Sequence, residues 1–138
     1  MKTFALVLAM MVPVFSQGEE VLPLEADAYK LTLTHVAVDP TGFDLSKVEY
    51  RRAKKPKIVR VIFSDKGKTV EIQPNKISGE LTEGNAVKRV YSLSEGLFAG
   101  GELVIEKTEK GLMATFTEFG SGVPVISSDR GLLAVAAK

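Results

Sequence analysis

Cysteine and tryptophan are absent from this chain of 138 residues, and histidine occurs once, at His35. Without cysteine there is no disulfide and no thiolate metal site, so packing and sheet pairing must hold the fold. With one histidine, a zinc site needs carboxylates for its other ligands, and a Ser-His-Asp arrangement has a single candidate base. No catalytic residue, metal ligand or cofactor is assigned on this pattern. The aromatic platforms that sugar binding favours are scarce too, with only Tyr29, Tyr50 and Tyr91 beside the phenylalanines. Long apolar runs are missing: the longest, residues 4–12, falls short of the roughly 20 residues that span a bilayer.

That run has a different meaning. Lys2 precedes it, Pro13 ends it and small residues follow, which is the layout of a secretory signal. The expectation is a signal peptide over 1–16, cut after residue 16 or 18, then an acidic lead-in over 17–27 and one β-domain over 28–138. The mature protein is expected to be exported, periplasmic or extracellular, with no transmembrane segment. Without Lys2 the chain carries 17 basic and 17 acidic residues. That balance gives no global attraction to nucleic acid or membrane, and no nucleic-acid partner is expected.

What the sequence does contain is alternation. "AYKLTLTHVAV" at 28–38 sets Tyr29, Leu31 and Leu33 against Lys30, Thr32 and Thr34. "KIVRVIFS" at 57–64 sets Val59, Val61 and Phe63 against Ile58, Arg60 and Ile62, and "TVEIQ" at 69–73 turns Val70 and Ile72 inward. Further runs at 77–81, 86–93, 102–107, 112–117, 123–127 and 132–136, with a weaker one at 48–52, are bounded by Gly, Pro, Asn and Asp. Strands this close must pair as antiparallel neighbours, because a parallel crossover needs a dozen or more residues. The fold expected is all-β: a small antiparallel barrel or sandwich of about 8–10 short, mostly hairpin-linked strands. A barrel is preferred, since closure removes exposed edges. A membrane barrel fits poorly, because the strands are short and charges fall on both parities.

A tetrad recurs in the breaks: "SDKG" at 64–67, "TEKG" at 108–111 and "SDRG" at 128–131. Each reads as a hairpin loop, a type I turn followed by a left-handed glycine at Gly67, Gly111 or Gly131, with the acids early in the turn. Other glycine-rich stretches lack the spacing of known sites. "EFGSGVP" around Ser121 is not a nucleophile elbow, and "SEGLFAGG" at 94–101 has no following Lys-Ser/Thr. Within the latter, Leu97 and Phe98 form a candidate ligand or lid loop.

Charge is segregated. Between residues 47 and 76 ten bases face three acids, whereas 17–46 and 77–122 are net acidic. The densest part, "RRAKKPK", supplies the candidate partner-binding cluster Arg51, Arg52, Lys54, Lys55 and Lys57, placed just before a strand. Such a cluster suits an acidic protein or an anionic polysaccharide; equally, Lys and Pro protect a sheet edge, and basic strands pair with acidic neighbours. His35, where the apolar parity of its strand changes, marks a bulge and a half-buried polar side chain bonded to backbone. The functional expectation is a non-enzymatic β-domain that contacts a macromolecular partner. The alternative is a small barrel carrying an apolar ligand, with a carboxylate hydrolase using Glu102 with Glu106 or Glu118 in third place.

Overall fold

Alternation of apolar and polar side chains gives each strand one face to bury, and eight such strands bury theirs together by closing into a barrel. The computed structural model describes residues 21–38, 48–74, 76–94, 100–120 and 123–136, the last without side chains before Ser127. In chain order the strands are β1 (Ala28–Ala37), β2 (Tyr50–Ser64), β3 (Thr69–Gln73), β4 (Ile77–Asn85), β5 (Lys88–Ser94), β6 (Gly100–Thr108), β7 (Gly111–Gly120) and β8 (Val123–Val135). Each pairs with the next in antiparallel fashion, and β8 returns to β1 to close the ring. The barrel expected from the sequence is thus observed, and the sandwich is not.

The register sets the core. Tyr29, Leu31 and Leu33 stand opposite Val61, Val59 and Lys57, and the same inward face continues through Val70, Ile72, Tyr91, Leu103, Ile105 and Phe116. Leu31, Val61, Tyr91, Leu103 and Ile105 have no exposed surface, so side chains fill the interior as in other small barrels. Phe63 sits edge-on to Tyr29 at 5.8 Å and tilted against Tyr91 at 5.6 Å.

The described part of the lead-in belongs to this core. Residues 21–27 cross one end of the barrel, with Leu22 buried and Leu24 and Ala26 packed against the interior cluster. Backbone bonds tie them down: Leu22 N donates to Asn85 O and Phe63 N to Asp27 O, both at 2.7 Å. The Tyr29 hydroxyl accepts from Glu25 N and Ala26 N.

Two tetrads turn the chain at this plugged end. Gly67 has φ 84°, and Asp65 and Lys66 are left-handed as well, with Gly67 N donating to Ser64 O. Both central residues of that turn therefore take the type I′ hand that suits a twisted hairpin, where a type I turn is expected from sequence. The second follows the expected form: Glu109 and Lys110 make the turn, Gly111 has φ 118°, and the Thr108 hydroxyl accepts from Lys110 N.

The third tetrad is not a turn. Ser128, Asp129, Arg130 and Gly131 lie inside β8, so the two expected strands at 123–127 and 132–136 are one; the expected runs at 48–52 and 57–64 likewise merge into β2, which leaves eight strands among the described residues. Gly131 faces inward opposite Leu33 and Ala114, where a Cβ would lie 1.7 Å from Thr32 O. The glycine is needed for close approach of β8 to β1 beside the β1 bulge rather than for a left-handed backbone. Inward Gly79 and Gly101 are crowded by Ser92 O and Thr117 O in the same way.

Candidate functional site

The basic cluster lies within β2 rather than ahead of it. Opposite the β1 bulge, four residues of β2 (Ala53, Lys54, Lys55 and Pro56) correspond to Thr34 alone, so the strand buckles where its charge is densest. Arg51, Arg52, Lys54, Lys55 and Lys57 are all exposed. Among the described residues the cluster makes one ion pair, Lys57 Nζ to Asp129 Oδ2 at 3.9 Å. Partnering by acidic neighbours in the sheet therefore accounts for one of its five cations. On the side away from β1, β3 pairs with β2 only over 60–64, so among the described residues no strand flanks 50–59 there.

His35 follows the bulge residue Thr34 and pairs with Arg52 and Arg130; it is half-buried, and its Nδ1 bonds the Thr34 hydroxyl at 2.9 Å. Leu97 and Phe98 lie outside the described residues, as does the expected signal peptide. The register puts Glu118 inward opposite Gly101 and Glu102 outward opposite Thr117, so these two acids do not face one cleft. Glu102 and Glu106 share the outer face of β6, their Cα atoms four residues or about 13 Å apart along the strand.

Sequence reasoning missed two groups. At the barrel end opposite the plug, Asp129 and Glu118 stand on the inward face, with Ser127 donating to Glu118 Oε1 at 3.0 Å. Burial raises the Asp129 carboxyl above its ordinary value of 3.8; nearby Lys57 lowers it in part and Glu118 raises it further. The folded state thus holds this proton more tightly than the unfolded chain. Its contribution to stability is complete below the ordinary aspartate range and is lost as pH rises through the raised value. Asp129→Asn removes that loss. Its melting temperature relative to wild type is expected to rise between about pH 3 and about pH 7. Thermal unfolding at both ends of that window checks this, and a relative fall at neutral pH would show that the Lys57 contact outweighs burial.

On the outer face of the same strands, Tyr50 reaches over β1 to bond Ser128 Oγ at 2.8 Å, and Ser128 bonds Thr117 Oγ1 at 2.9 Å. The Arg130 guanidinium lies 3.8 Å from the centre of the Tyr50 ring. This polar seam anchors the first residue of β2, and with it the basic segment, to β8.

The second missed group is Arg89, a cation only 7% exposed inside the plugged end. Its Nε donates to Leu22 O at 2.7 Å, and its Nη1 to Gly67 O at 3.1 Å and the Tyr91 hydroxyl at 3.0 Å. Tyr91 in turn donates to Gly67 O, and burial raises its phenol, with Arg89 lowering it in part. These bonds hold the plug and the β2–β3 hairpin, which is a structural task.

Among the described residues no group of three or more His, Asp or Glu side chains is placed to hold a metal ion, and no helix is long and apolar enough to cross a membrane. Set against known protein families, curated proteins and solved structures, the chain matches none of them.

Proposed function

We propose that this is an exported, non-enzymatic β-barrel that contacts a macromolecular partner, an acidic protein or an anionic polysaccharide, through the basic segment of β2. The observation that carries this reading is the exposure of Arg51, Arg52, Lys54, Lys55 and Lys57 with a single ion pair among the described residues. Five cations held on one buckled strand raise the local positive potential and attract anionic surfaces, although the molecule as a whole is near neutral. The filled interior gives the apolar-ligand alternative no comparable support.

Heparin serves as the anionic test matrix. Wild-type protein is expected to be retained at low salt and eluted as salt screens the contact, because exposed charges lose their reach within about 10 Å at 0.1 M. Changing Arg51, Arg52, Lys54 and Lys55 together to Ser should abolish retention, and since all four are exposed the fold should survive. Retention of the folded variant at the wild-type salt concentration would overturn the proposal.

A further inference from the structure

Strand β2 has two parts with different surroundings. Over 60–64 it pairs on both sides, with β1 and β3; over 50–59 it pairs with β1 alone among the described residues. Val38 N donates to Glu49 O at 2.8 Å, which fixes the phase of the ladder. By antiparallel alternation Arg51 turns its backbone groups to β1, while Tyr50 and Arg52 turn theirs to the unpaired side. Such a row of backbone donors and acceptors is a template for one more strand.

The side chains along it restrict what that strand can be. Pro56 offers no N–H, and a second copy of this edge would bring Arg51, Arg52, Lys54 and Lys55 against the same cations, so self-pairing is disfavoured. An extended segment carrying carboxylates meets the opposite situation. Where β3 stops, the edge runs into a groove of about 430 Å³. Ile58, Pro74 and Ala136 line it, with Lys30 and Arg60 alongside, and Ile58 is 59% exposed. A strand laid along β2 would reach this groove with a side chain, and its apolar wall suits an aliphatic one.

We propose that an extended acidic polypeptide segment adds as a strand to the 50–58 edge of β2, bonding the backbone of Tyr50 and Arg52 and seating an apolar side chain against Ile58 and Pro74. The inference rests on the basic-segment reading above and narrows its partner to polypeptide. A polysaccharide can match the charge but cannot continue a sheet.

The probe is a short peptide alternating glutamate and valine, compared with the same peptide methylated at every backbone nitrogen and with heparin. The full chain is expected to bind the unmodified peptide at least about tenfold more tightly than the methylated one, because only the first can form a ladder. Ile58→Ser, at an exposed position that does not threaten folding, should weaken the peptide several-fold and leave heparin retention unchanged. Equal affinity for both peptides, or binding of heparin without the peptide, overturns strand addition while the basic-segment reading stands. Binding of neither peptide nor heparin overturns both. Wild-type peptide affinity in Ile58→Ser removes the groove from the proposal.

Discussion

Gly131→Ala should leave the chain without a cooperative melting transition. The added Cβ would lie 1.7 Å from Thr32 O and 2.9 Å from Leu33 Cα, both backbone atoms of β1. No side chain can move aside to make room, so β1 and β8 must part, and their ladder is the one that closes the barrel. A loss above about 4 kcal/mol is expected, which takes most of the stability of an ordinary domain. Gly111→Ala is the comparison. Its φ of 118° strains any side chain, yet nothing lies within 4 Å of the new atom. That change should cost only about 1–2 kcal/mol and leave a shifted but cooperative melt. Circular dichroism melts of the two variants decide the matter; a Gly131→Ala protein melting near wild type would mean that β8 does not approach β1 as closely as described.

Arg89→Met should free the plug. Methionine fills much of the space but donates nothing, so Leu22 O loses its guanidinium partner and the Tyr91 hydroxyl loses a donor, both at a buried end. Unsatisfied buried acceptors cost about 1–3 kcal/mol each, and relief from burying a charge offsets part of that. A net loss of about 2–4 kcal/mol is expected. The local effect is sharper than the global one. Residues 21–27 should become cleavable at Glu25 under conditions where the barrel strands remain intact, read by limited proteolysis and mass spectrometry. Wild-type resistance at Glu25 together with an unchanged melt would show that the plug is held without Arg89.

Much of this architecture is legible in the alternation of the chain, and the misreadings have physical causes. Val59, Val61 and Phe63 are buried and Ile58 is exposed, as parity requires. "SDRG" misleads because a turn and a close approach of two strands both call for glycine, and composition does not separate a left-handed φ from a missing Cβ. Its neighbours carry the difference: Ser127, Asp129, Gly131 and Leu133 keep one face without interruption, as a single strand must. The buried position of Arg89 was there to be seen too, since it shares the parity of Tyr91 and Leu93. A cation on an apolar face reads as an exception until the carbonyls that receive it are in place, and those come from residues 22 and 67, far along the chain. Leu22, Leu24 and Ala26 likewise alternate with exposed Val21, Pro23, Glu25 and Asp27, a period-two signal masked by the acidic composition of the lead-in. The basic segment was legible as a cluster. Its availability was not, because that depends on where β3 ends relative to β2, and register is a property of two strands rather than one.

Availability of that edge is the central claim, and amide hydrogen exchange tests it most directly. In the free protein the amides of Tyr50 and Arg52 should exchange fast while Arg51, turned to β1, exchanges slowly; saturation with the alternating peptide should slow Tyr50 and Arg52 and leave Arg51 as it was. Slow exchange at Tyr50 and Arg52 in the free protein, or no slowing at saturation, would contradict the account.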